Sequence, residues 1–215
     1  MGGGPSFGAL VYPRLMLLDA PVTFMLLLTN ALVGFYSLFV DPGLIGRWAF
    51  RPAAVARGEW GRFITAGFVH VGLAHLAFNL ITLFAFGPFI EMRIGLWRFF
   101  LLYFGSELAA HGLTYWRHRK NPEYSAVGAS GAVSGVLFAF CLFRPLDDIY
   151  IFLIPIGIPA VIFGVLYLAL STYAARQSHG RVAHEAHIGG ALAGILLTIL
   201  LYPPVISVFL SQLGL

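Results

Sequence analysis

The sequence predicts an all-α membrane protein, a compact bundle of six transmembrane helices, and three observations carry that prediction. Of its 215 residues, 59% are hydrophobic and 10% are charged, with a mean hydropathy of +0.86, far outside soluble globular composition. The apolar residues gather into runs of about twenty, the length that crosses a bilayer as a helix. No internal repeat, inverted or parallel, relates one half of the chain to the other. The net charge of +4 comes from scattered arginines rather than a basic stripe, so nucleic acid is excluded as a partner. Cys141 is the single cysteine; it allows no intrachain disulfide and reads as a small buried hydrophobe.

Residues 1–20 form a short glycine-rich N-terminal segment with no basic side chain before Arg14. The first apolar run is too long for the core of a cleaved signal peptide. It reads as a retained span, Pro21 to Val40, ended by the breaker Asp41-Pro42-Gly43. In residues 41–67, Arg47, Arg51, Arg57 and Arg62 alternate with Trp48, Phe50, Trp60 and Phe63. Such mixing suits the headgroup region, so this stretch reads as an interfacial loop with short helical pieces. The second span starts near His70 and ends near Ile90. Glu91-Met92-Arg93-Ile94-Gly95 makes a turn that Glu91 and Arg93 cap or clamp, and the third span runs from Leu96 to Trp116.

After a polar loop from Arg117 to Glu123, the fourth span covers Ser125 to Phe143 and stops at Arg144-Pro145. The fifth covers Ile149 to Tyr173, where Pro155, Gly157 and Pro159 are expected to kink or loosen its first half. The sixth runs from Ala186 to Tyr202-Pro203-Pro204. The membrane domain is thus 21–205, and residues 206–215 form a frayed apolar tail. Six spans place both termini on one side. Arg14, Arg93, Arg98 and Arg144 fall on that side; Arg47, Arg51, Arg57, Arg62, Arg117, Arg119, Lys120, Arg176 and Arg181 fall on the other. Taken alone, that excess puts the termini outside.

Polar groups placed in hydrocarbon are costly unless they bond to one another, and they mark function by default. His75 and Asn79 are one helical turn apart, so they share a face and can aim donors at a developing oxyanion. Taken alone, that pair fits helix-to-helix polar glue better. Ser130 lies in Gly128-Ala129-Ser130-Gly131 near the start of its span, where the first N–H groups lack partners and can face an anion. Gly128, Gly131 and Gly135 on one span, and Gly190 and Gly194 on another, supply small faces for close helix packing. Packed together, those faces bring His187 within reach of the Ser130 hydroxyl, which needs a base to become a nucleophile. No carboxylate is placed to orient His187, because Glu185 points elsewhere on its helix; a two-residue Ser–His arrangement results. Glu107 and His111, four apart, read as a structural pair. His184-Glu185-Ala186-His187 does not match His-Glu-x-x-His, and neither a metal nor a cofactor is expected.

These elements together resemble a rhomboid intramembrane serine protease of the minimal six-span bacterial type, from about residue 20 to 205. The family pattern of two histidines and an asparagine is matched by His70, His75 and Asn79. Its Gly-x-Ser-Gly is matched by residues 128–131, and its Ala-His-x-x-Gly-x-x-x-Gly by Ala186, His187, Gly190 and Gly194. The turn at Glu91 to Gly95 resembles its Glu-x-Arg-x-Gly. The resemblance implies Ser130 as nucleophile, His187 as general base, and oxyanion donors from His75, Asn79 and the Ser130 backbone N–H. It also implies cytoplasmic termini, against the arginine balance, and a multi-pass protein of the bacterial inner membrane. The fifth helix becomes a lateral gate, and the loop 41–67 a brace in the outer leaflet. Two positions depart from the pattern: Gly61 separates Trp60 from Arg62, and Ser134 stands where some members carry a tyrosine that packs on the histidine.

The function expected is cleavage of single-pass transmembrane proteins in the lipid bilayer. The alternative is a catalytically inactive, derlin-like relative that binds such proteins; those relatives typically lack the serine or the histidine. A transporter would show repeated, interrupted helices in its two halves. Substrate identity and oligomeric state are not readable.

Overall fold

The computed structural model describes residues 19–150, 156–177 and 184–215. The expectations for residues 1–18, with Arg14, and for Pro155 and Arg181 lie outside that range. The chain is mostly helical. Helix α1, Pro21–Phe39, opens with Pro at its first turn, where a missing N–H costs nothing. Short helices α2, Gly43–Trp48, α3, Pro52–Val55, and α4, Arg62–Thr65, follow, then a 3-10 turn at Ala66–Phe68. Next come α5, Leu73–Ile94, α6, Leu96–His118, and α7, Ser130–Phe143. Strands β1, Asp148–Tyr150, and β2, Gly157–Pro159, precede α8, Ala160–Gln177, α9, His184–Leu201, and α10, Val205–Gln212.

Among the described residues three helices, α1, α5 and α9, are long and apolar enough to cross a membrane. Helix α6 has the length, at 23 residues, but buries Ser106, Glu107, His111 and Thr114. Helix α7 and residues 160–173 of α8 are apolar but shorter. Phe24, Leu28, Leu32 and Phe35 on α1, Val165 and Leu170 on α8, and Leu192 and Leu196 on α9 are exposed. A belt of that kind fits contact with lipid, where apolar surface costs nothing.

Four expectations are corrected. The fold is not purely helical, because β1 and β2 pair antiparallel, Ile149 opposite Ile158. The fifth segment does not begin as a helix at Ile149. Gly157 and Pro159 deny it a regular ladder, and α8 starts only at Ala160, whose N–H bonds the Asp147 carbonyl at 2.9 Å. The fourth helix starts at Ser130, not Ser125, because Ala126 exchanges two backbone bonds with Phe50, at 2.9 and 3.0 Å. Glu91 does not clamp its own turn. Its carboxyl group reaches α1 and accepts the N–H groups of Val22 and Thr23, at 2.9 and 2.7 Å, and the Thr23 hydroxyl at 2.8 Å. It thereby satisfies first-turn donors that α1 cannot satisfy itself; Arg93 is exposed.

The loop 41–67 is ordered by its own polar contacts. Arg62 donates to the Ala49 carbonyl at 2.7 Å and to Glu59 at 2.8 Å, so the glycine before it leaves the arginine anchored. Trp60 stays exposed and stacks on Phe63. Arg47 bonds Asp41 and holds its carboxyl below the usual range. Through the Phe50–Ala126 bridge, and the Gly128 N–H on the Ala66 carbonyl at 2.8 Å, the loop grips the lead-in to α7. The apolar end of the chain after Pro204 is helical, with Val205 buried.

Candidate active site

Helices α7 and α9 meet backbone to backbone. A Cβ built on Gly190 would run into the carbonyl of Gly131, and one on Gly194 into the backbone of Gly135. Only glycine permits that approach. Gly128 is not one of the packing glycines. It sits in the loop before α7 at φ +108°, and a Cβ there would strike the His75 ring. Its lack of a side chain serves the turn and leaves room for His75.

This seam sets His187, on the first turn of α9, opposite Ser130, the first residue of α7. The imidazole Nε2 lies 2.9 Å from the serine Oγ. Both line a cavity of about 280 Å³, together with His75, Asn79, Glu107, Ser134 and Tyr167. Asn79 is buried and donates one amide proton to the His75 carbonyl at 3.0 Å, leaving its second donor available. The His75 Nδ1 is buried without a partner among the described residues. His70 does not reach the cavity. It is fully buried, edge-on to His75 with ring centroids 5.1 Å apart, and backs onto α1 at Gly34.

Glu185 is occupied away from the site, with Arg117 at 2.9 Å and His118 at 3.2 Å. Glu107 does more than pair with His111. Its Oε1 lies 3.5 Å from His111 Nδ1, while Oε2 accepts the Ala132 N–H at 3.0 Å. His111 Nδ1 lies 3.0 Å from the Phe63 carbonyl, an acceptor that only an N–H can satisfy. Glu107 thus takes the third amide of α7, so the Ser130 and Gly131 N–H groups remain the amides with no carbonyl a full turn behind them in the helix.

Sequence reasoning missed Tyr167. Its ring stacks on His187, centroids 6.0 Å apart and planes at 28°, and its hydroxyl lies 2.6 Å from Ser134 Oγ. No local motif signals it, because it comes from a helix whose spacing bears no fixed relation to Ser130 or His187.

The family model for the Rhomboid domain matches residues 57–204. The chain is similar to "Rhomboid protease GluP" of Bacillus subtilis, 30% identical over 151 residues, covering 70% of this chain and 28% of that protein. It is 39% identical over 127 residues to YdcA of Bacillus subtilis, covering 58% and 62%. It is 30% identical over 137 residues to "Rhomboid protein 1, mitochondrial" of Saccharomyces cerevisiae, covering 62% and 39%. The chain therefore spans less than two thirds of each of these relatives.

Proposed function

The chain belongs to the rhomboid family of integral membrane proteins, and from that premise we propose that it is an intramembrane serine endopeptidase using a Ser130–His187 dyad. The observation that carries this reading is the 2.9 Å contact between Ser130 Oγ and His187 Nε2 inside a mostly apolar cavity. Six helices span the bilayer: α1, α5, α6, α7, α8 and α9. Helix α7, with 14 residues, is only ~21 Å long against a hydrocarbon core of ~30 Å. With its Arg144 end at one boundary, Ser130 sits several ångströms below the other, reachable through the loop side.

In the reaction, Ser130 Oγ attacks the scissile carbonyl carbon and its proton passes to His187 Nε2. The oxyanion is held by His75, Asn79 and the Ser130 N–H. His187 then protonates the departing amine, leaving an acyl-enzyme on Ser130. Water entering from the loop side attacks that ester and gives a proton to His187, which returns it to Ser130 Oγ as the ester C–O bond breaks and the carboxylic acid leaves. A helical amide is shielded by its own hydrogen bonds, so substrates are single-pass proteins with helix-weakening or small residues near the cut. The membrane is the bacterial inner membrane, with cytoplasmic termini and helix α8 as the lateral gate.

A serine-reactive fluorophosphonate tests the reading on the detergent-solubilised protein. Wild type labels, and Ser130→Ala and His187→Ala both lose labelling and cleavage of a single-pass substrate. Labelling that survives in either variant removes the dyad. Absence of labelling and cleavage in wild type favours the inactive binding relative.

A further inference from the structure

A single hydrogen bond fixes the distance between Ser130 and His187 but not the rotation of the imidazole, whose terminal torsion is broad and two-fold. Something must hold the ring face. The carboxylate beside it in sequence, Glu185, is taken by Arg117 and His118. Ser134, one turn beyond the nucleophile, is too short to cover the ring. His184 meets His187 only edge-on, at 5.9 Å and 80°, and both lie on α9, so that contact cannot register α9 against α7.

We infer that Tyr167 of α8 is the positioning residue of the dyad: its ring covers the face of His187 while its hydroxyl, bound to Ser134, ties that ring to the helix carrying Ser130. This rests on the protease reading above. The stack falls within the range where aromatic pairs attract. Ser134 Oγ donates its one proton to the Ser130 carbonyl at 2.7 Å, so in the 2.6 Å contact it is the Tyr167 hydroxyl that donates. Phe138 and Phe163 pack on the tyrosine ring, at 5.8 and 6.1 Å, and leave it little freedom. One side chain thus joins α7, α8 and α9 around the reacting atoms. The ring that the family pattern would place on α7 is here supplied by the neighbouring helix.

The test measures kcat and KM on a single-pass substrate, the rate of fluorophosphonate labelling, and thermal denaturation. Tyr167→Leu lowers kcat and the labelling rate ~10–100-fold, as misplacement of a reacting group does, while KM changes less than ~3-fold. Tyr167→Phe, which keeps the ring, recovers most of that loss. Adding Ser134→Tyr to Tyr167→Leu returns part of the activity by putting a ring back on α7. A Tyr167→Leu protein with wild-type kcat overturns the inference, as do equal losses in the Leu and Phe variants that track the fall in melting temperature.

If Tyr167→Leu does not fold, the hydroxyl tether is decided by a second cycle. Ser134→Ala and Tyr167→Phe remove the two ends of one bond, so each lowers kcat by a similar small factor and the double variant loses no more than either. Additive losses overturn the tether. A wild type that neither labels nor cleaves removes the protease reading and this inference with it; an active wild type with indifferent Tyr167 variants removes only the inference.

Discussion

Helices α8 and α9 flank α7, the helix that begins at Ser130, in opposite ways. Helix α9 docks through glycines, Gly190 on Gly131 and Gly194 on Gly135, with backbones touching and nothing to rearrange. Helix α8 docks through side chains, with Tyr167 against Phe138 and Ser134, and at Gly164 a built Cβ would lie 3.3 Å from the Phe138 ring. Backbone contact at a glycine leaves no rotamer to change, whereas side-chain packing runs through rotatable torsions. His187 is therefore carried on the stiff partner and Tyr167, whose ring stacks on it, on the soft one.

The contrast can be broken most severely at the seam. Gly190→Val forces α9 off Gly131, costs about 3 kcal/mol through overpacking, and abolishes fluorophosphonate labelling; a folded, labelled variant would show that the seam does not set the dyad. Next comes Asn79→Ala, which touches neither flank and lowers kcat by roughly 10²–10³-fold if Asn79 is a full oxyanion donor, read as turnover at unchanged melting temperature. Glu91→Gln acts far from both flanks. It weakens the cap on α1, lowers stability by about 2 kcal/mol and leaves the labelling rate at low temperature unchanged; a labelling defect would couple α1 to the site. Phe163→Ala probes the soft side and should cost about 1 kcal/mol in the melt while lowering the labelling rate a few-fold, because Phe163 packs on the Tyr167 ring. Asp41→Asn is the smallest change. The Arg47 contact holds the Asp41 carboxyl low, so any stability it gives is present above pH ~4 and lost as pH falls through the lowered value. At this exposed site no shift in melting temperature is expected.

The stiff side was more legible in the sequence than the soft one. Gly131 and Gly135, like Gly190 and Gly194, are four apart, and four-residue spacing names a helix face directly. Ser130 and His187 inherit their placement from those faces. Spacing cannot say which neighbour a side chain crosses to, so Glu91, a reader of its own turn by sequence, caps α1 in space. Tyr167 was invisible for the same reason. The start of α8 was misread because apolar content between Ile149 and Ala160 suits a span, whereas Pro159 and Gly157 dictate a paired ribbon. Hydropathy measures where a segment is content, not how its backbone bonds are arranged.

On the protease reading proposed above, carrying His187 on α9 has a consequence for biosynthesis. A nascent chain that has inserted α7 already displays the nucleophile, its lead-in pinned by Phe50, yet it lacks the group that activates it and the glycine face that α7 awaits. On that reading, activity waits until α9 has been made and its glycine face has docked on α7.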